Sequence, residues 1–231
     1  MKTAVRALKW AALALVLGLI GLQLWYLGWV LAYRWVDPGD TAFMRRELAS
    51  LRESNPKAQI KHQWVPYERI SPHLKRAVIA AEDARFNEHE GVDWEALGKA
   101  YETNLKRGKP AKGGSTITQQ LAKNLFLSPD KSYLRKVQEL IITYMIEALW
   151  DKRRILEVYL NSVEWGNGVF GAEAAARYYY GVSASALNRE QAARLAAMLP
   201  RPKFYDRNRG SAFLAQRTQA VLRYIDHPEI P

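Results

Sequence analysis

The chain has 231 residues, 48% of them apolar, enough for one globular domain beside a membrane segment and too apolar for wholesale disorder. Its 34 Lys and Arg against 23 Asp and Glu give a net charge of +11, which suits nucleic acid, anionic lipid or a phosphorylated substrate without choosing among them. With no cysteine, disulfides, thiolate catalysis and Cys-based zinc sites are excluded.

The first element is a run from Trp10 to Tyr33 that carries no charge and only one strongly polar side chain, Gln23. As a helix this run rises about 36 Å, enough to cross a hydrocarbon core of about 30 Å. Trp10 marks one end, and Trp25, Tyr26, Trp29, Tyr33 and Trp35 crowd the other, as interfacial aromatics do. Lys2, Arg6 and Lys9 precede the run with no acid among them, so the short N-terminus is expected in the cytoplasm and the rest outside. A cleaved signal peptide would have a shorter apolar region and a small-x-small site, which Leu31-Ala32-Tyr33-Arg34-Trp35 does not offer.

Asp37-Pro38-Gly39-Asp40 reads as a turn, residues 42–54 as an amphipathic helix lying at the bilayer, and Gln59 to Val65 as a short strand. Ser71-Pro72 opens a helix through about Arg85, and Asp93 caps another that stops near Gly108. Lys106 to Ser115 is a Gly- and Lys-rich loop, after which Ser115 or Thr116 caps a helix to about Leu127. A long helix covers Tyr133 to Trp150, with Leu134, Val137, Ile141, Met145 and Ala148 spaced as a core stripe. Asp151 starts the next helix, Gly166 to Gly171 is a loop, and Ala172 to Tyr180 is helical. Asn188 with Gln191 makes a capping box for a helix that ends at Pro200, and a last helix spans Ala212 to Tyr224. The fold class is mainly α, with at most a small strand pair.

Four blocks carry chemistry. The first, Glu82-Asp83-x-x-Phe86-x-x-His89-x-Gly91, ends the Ser71 helix with a carboxylate at the edge of its apolar face. Glu82 is either a solvated helix acid or a cleft carboxylate shielded by Phe86 and raised in basicity. The second, Gly114-Ser115-Thr116-Ile117-Thr118-Gln119-Gln120-Leu121-Ala122-Lys123-Asn124, resembles a phosphate loop only superficially, since Gly114 stands where the lysine belongs. A Gly-Ser-Thr turn at a helix N-terminus still favours an anion. The third places Arg135, Lys136 and Glu139 within one helical turn, on the side away from the expected apolar stripe. Arg135 and Glu139 form either a surface ion pair or a cleft carboxylate held by a guanidinium. The fourth, Ile155-Leu156-Glu157-x-Tyr159-Leu160-Asn161, reads as architecture, with Glu157 either supporting the packing or facing substrate. His62, His73, His89 and His227 show no metal-ligand spacing.

In this order the four blocks resemble the peptidoglycan glycosyltransferases, the lysozyme-like family 51 enzymes that also form the transglycosylase half of penicillin-binding proteins. The similarity runs from about Val65 to Pro202, where Met198-Leu199-Pro200-x-Pro202 is similar to a fifth block. No long C-terminal region follows, so the resemblance is to the monofunctional, membrane-anchored type. It implies residues 1–9 in the cytoplasm, 10–33 across the membrane, 34–64 as a membrane-proximal linker and helix, and 65–231 as a lysozyme-like helical catalytic domain on the periplasmic face of a bacterial inner membrane.

By that resemblance Glu82 and Glu139 are catalytic. Asp83, Phe86, His89, Gly114, Ser115, Thr116, Gln119, Gln120, Lys123, Asn124, Arg135 and Lys136 form the substrate site. Glu82 acts as general base, Lys123 and Arg135 meet a departing lipid diphosphate, and Glu139 orients that diphosphate directly or through Mg2+ or another divalent cation. The implied partners are lipid II, the growing glycan chain, the membrane, and cell-division or elongation proteins, with no role for nucleic acid. The alternatives are a lysozyme-like lytic enzyme and a membrane-tethered module that binds anionic polymers.

Overall fold

The computed structural model describes residues 2–107, 114–130 and 132–231. The expected loop over 106–115 lies largely outside those residues. Helix α1 (Lys2–Tyr33) is the long apolar element. It begins before Trp10 because Lys, Arg and Ala propagate a helix readily. Helix α2 (Ala42–Ser54) starts at Thr41, whose hydroxyl accepts from the Met44 N–H at 3.1 Å.

Helix α3 (Pro72–Glu82) is capped by Ser71 as expected, but stops at Glu82 rather than Arg85. Asp83 leaves the helix to accept hydrogen bonds from His89 Nε2 and from the Ile117 N–H. Asp93 caps α4 (Trp94–Arg107) through the Ala96 N–H, and Thr116 caps α5 (Ile117–Phe126) in a reciprocal box with Gln119. Then follow α6 (Tyr133–Leu149), α7 (Lys152–Ser162), α8 (Ala172–Tyr180) and α9 (Arg189–Met198). The short α10 (Pro202–Arg207), which the sequence reading did not anticipate, and α11 (Ala212–Tyr224) complete the chain's helices among the described residues.

The segment expected as a loop between Gly166 and Gly171 is instead a tight hairpin of β2 (Glu164–Gly166) and β3 (Val169–Phe170). Val169 and Phe170 are fully buried, so the hairpin is held by packing rather than by length. Strand β1 (Lys61–His62) joins β3 in parallel, giving the order β1-β3-β2. Gly171 must be glycine: its φ is +81°, and a Cβ there would meet the Asn161 carbonyl oxygen at 2.8 Å.

Helix α9 sits at the centre of the domain against α3 and α11. Ala192, Ala193, Ala196 and Ala197 are fully buried, and their small side chains let its neighbours approach closely. Gly91 makes a second close approach, with φ +87° and a virtual Cβ only 2.6 Å from Thr143 Cγ2. Gly91→Ala is therefore expected to lower stability by about 2 kcal/mol or more. A thermal midpoint equal to that of the unaltered protein would contradict this.

Two expectations about apolar faces are corrected. On α6 the buried side chains are Glu139, Ile142, Thr143 and Ile146, whereas Leu134, Val137, Ile141 and Ala148 are exposed and Met145 packs on α1. The sequence stripe is real but does not face the core, so Glu139 turns inward, not outward. On α2, Met44 is buried and Phe43, Leu48 and Leu51 are half-buried, so that helix turns its apolar side into the protein rather than to lipid. Beyond α1, large apolar side chains are exposed on α4 (Trp94, Tyr101, Leu105) and on the first turns of α6, the helix that packs against α1.

Candidate active site

Glu82 is the last residue of α3 and is half-buried. Its carboxylate accepts a hydrogen bond from Gln120 Nε2 at 2.8 Å, and the Gln120 carbonyl accepts in turn from the Tyr159 hydroxyl at 3.0 Å. Burial raises the Glu82 pKa above the usual carboxylate value. The Gln120 hydrogen bond and the charges of Arg217 and Lys123 work against that rise, while the adjacent Asp83 adds to it. The result is a carboxylate that is unusually basic yet still supplied with donors.

Lys123 stands on α5 one turn beyond Gln120. Burial lowers its pKa, and the charges acting on it come from Glu139, Arg135, Lys136 and Glu82. Both carboxylates singled out in the sequence thus lie around one ammonium. They differ in access. Glu139 is only 3% exposed, and its two oxygens are taken by Arg135 Nη1 and Lys136 Nζ, each at 2.5 Å. Arg135 is half-buried and Lys136 exposed, so two cations stand between Glu139 and solvent.

Several other expected substrate contacts belong to the frame. Asp83 is buried, its oxygens shared between His89 Nε2 at 2.8 Å and the Ile117 N–H at 3.0 Å. The positive end of α5, expected to greet a substrate anion, is therefore already met by the protein's own carboxylate. Thr116 is buried, donates to the Gly91 carbonyl at 2.6 Å and accepts from the Gln119 N–H at 3.2 Å. The Gln119 side-chain oxygen accepts the reciprocal bond of the same cap from the Thr116 N–H. Phe86 is wholly buried in the core, and Asn124 is buried as well. Gly114 approaches Leu97 of α4 too closely for a side chain to fit easily, and Ser115 beside it is exposed. What remains at least partly open to solvent is Glu82, Gln120, Lys123 and Arg135, with Lys136 and Ser115 exposed.

Asp83, His89 and Asp93 come close enough to suggest a metal cluster, and all three are buried. Asp93 caps the Ala96 N–H and pairs with Arg85, and the Asp83 to His89 bond joins the other two, while His89 Nδ1 is buried without a hydrogen-bond partner. The three residues brace the chain that follows Glu82.

Sequence reasoning missed three contributors. Arg217 of α11 lends its charge to Glu82 from outside every block. Tyr159 reaches the site through Gln120, although the fourth block read only as packing. Glu147 accepts from Thr118 Oγ1 and from Lys152 Nζ, and that lysine also donates to the His89 carbonyl, so the pair ties α5 and α6 to the loop after Glu82. The rest of the fourth block is architectural as read. Asn161 bonds both the N–H and the carbonyl of Val65, and Glu157 accepts from the Tyr67 N–H.

A basic carboxylate beside two half-buried cations and one exposed cation can remove a proton on one side and meet growing negative charge on the other. On a mainly helical domain, that is the equipment of a group-transfer enzyme acting on an anionic substrate.

The transglycosylase family matches residues 47–226, and the chain belongs to it. Curated relatives extend the match over the long apolar helix. A biosynthetic peptidoglycan transglycosylase of Dechloromonas aromatica (strain RCB) is 62% identical over 227 residues, covering 96% of this chain and 98% of its own. One from Janthinobacterium sp. (strain Marseille) is 60% identical with both chains covered in full, and one from Bordetella pertussis is 58% identical over 90% of this chain and 88% of its own.

Proposed function

We propose that this enzyme polymerises lipid II, the undecaprenyl-diphosphate-linked disaccharide pentapeptide, into β-1,4-linked glycan. Glu82 takes the proton from the 4-hydroxyl of the acceptor GlcNAc as that oxygen bonds to C1 of MurNAc at the reducing end of the growing chain. The C1–oxygen bond to the lipid diphosphate breaks from the opposite face, inverting α to β, and undecaprenyl diphosphate leaves. Lys123, Arg135 and Lys136 meet the negative charge that gathers on the leaving group, and Glu139 holds the last two in place from beneath. The observation that carries this reading is Glu82 itself, its basicity raised by burial and its carboxylate aimed by Gln120 next to Lys123.

The N-terminal helix is long and apolar enough to cross a membrane, and α6, with Leu134, Val137 and Ile141 exposed, packs beside it. In this reading the helix spans the bacterial inner membrane with residues 1–9 in the cytoplasm, and the domain from about residue 65 onward works at the outer surface, where the lipid-linked substrate lies.

The test incubates the full chain in liposomes with labelled lipid II and, separately, with finished glycan. New polymer from lipid II and no fragments from glycan are expected; fragments alone would favour a lytic enzyme. Because the cations of the site come from the protein, turnover in EDTA should stay within about ten-fold of that with Mg2+. Complete loss in EDTA would mean that a bound metal carries the charge.

A further inference from the structure

Helix α1 is not a loose tether. Gln23, Tyr26, Val30 and Tyr33 fall on one face of it, and this is the face turned to the domain: Val30 is fully buried and the other three are half-buried. Tyr26 and Tyr33 both pack on the ring of Phe126 of α5. The upper end of α1 has carbonyls that its own helix leaves free, and the domain supplies their donors. Trp150 Nε1 bonds the Val30 carbonyl at 2.7 Å, and Arg154 bonds the carbonyls of Tyr33 and Val36 through Nε and Nη2 at 2.9 to 3.1 Å. A guanidinium at a helix C-terminus also opposes the negative end of the helix dipole.

Lower down, Gln23 and Gln138 bond one another reciprocally, at 2.9 and 3.0 Å. Gln23 is the one strongly polar side chain in the run from Trp10 to Tyr33. In hydrocarbon an amide without a partner is costly, and a facing amide satisfies both its donor and its acceptor. Gln23 lies ten residues before Tyr33, the outer end of the span, about 15 Å along the helix axis. Gln138 must lie at the same depth, and it immediately precedes Glu139, with Arg135 and Lys136 less than a turn away. Leu134, Val137 and Ile141, exposed beside Gln138, suit that depth.

We propose that Gln23 and Gln138 are positioning residues: their amide pair, with the upper end of α1 capped by Trp150 and Arg154, fixes the depth at which the cations of the site meet the bilayer. This rests on the functional reading above for the activity measured, but not for the contact. Intramembrane pairs of this kind shift an equilibrium by about three-fold to twenty-fold.

In liposomes, Gln23→Leu and Gln138→Leu should each lower turnover of bilayer-embedded lipid II by an amount in that range. The same variants should turn over a short-chain, water-soluble lipid II analogue in detergent at the unaltered rate, because there the substrate has no fixed depth. The chain has no cysteine, so Gln23→Cys combined with Gln138→Cys gives a unique thiol pair. A short, reducible bis-thiol linker should join the two in liposomes, and joining them should restore the turnover that the double substitution loses. The proposal is overturned if the linker does not join them, if linkage stops turnover until it is reduced, or if the leucine variants lose equally on both substrates. Failure of the unaltered protein on either substrate would instead end the functional reading, and the linkage yield would still judge the contact.

Discussion

Glu82→Gln is expected to lower lipid II polymerisation by at least about 100-fold, the scale on which a positioned general base contributes to rate. The amide keeps the size of the carboxyl group and can still meet Gln120, but it cannot accept a proton. The fold should survive. Burial raises the Glu82 pKa in the folded protein. As pH rises from the ordinary carboxylate value through that raised value, the folded state therefore holds the proton longer than the unfolded state, and stability falls. Glutamine has no charge to bury, so the variant should match or exceed the thermal midpoint of the unaltered enzyme at neutral pH. Lost activity with undiminished stability is the signature of a group held against its folding preference for the sake of chemistry. A variant with near-normal turnover, or one that is inactive because it is unfolded, would not fit this account. The same shift sets the acid limb of the pH–rate profile, since Glu82 must be ionised to act: that limb should lie above the ordinary range for a carboxylate.

Lys123→Ala should be nearly as damaging, about 100-fold to 1,000-fold, the usual cost of removing one preorganised group that stabilises transition-state charge. Lys123 is the cation that lies in the field of both Glu82 and Glu139, and it is half-buried where water screens poorly. Two readouts separate its role from general damage. In single turnovers with a preformed glycan donor, the defect should appear in the handling of that donor. In addition, Lys123 holds the Glu82 pKa down, so its removal should move the acid limb of the pH profile further toward neutrality. A variant whose only change is a uniform drop in folded protein would contradict both.

Much of this was legible in the chain. Local signals placed the helix starts at Ser71, Asp93, Thr116, Asp151 and Asn188 almost to the residue, because a cap is a contact between neighbours in sequence. The charge-free run ahead of Arg34 likewise announced a helix long enough to cross a membrane. The blocks around Glu82, Lys123 and Arg135 carried the family resemblance, and with it the chemistry to look for.

Other features depend on which surface meets which. The periodicity of α6 shows an apolar stripe but cannot say what covers it; α1 meets only Met145 of its five side chains, the other four are exposed, and the buried face is left to Glu139. Asp83, Thr116 and Gln119 match the family motif as well as Lys123 does, yet only packing reveals that they are hydrogen-bonded within the protein. Arg217 reaches Glu82 from more than 130 residues away, a distance over which no spacing rule operates. Sequence alone determined most of the helices, the long apolar segment and the chemical inventory, since these arise from short-range forces. Tertiary structure alone decided which polar groups remain free to act, because a donor or acceptor becomes available or satisfied only when the elements pack.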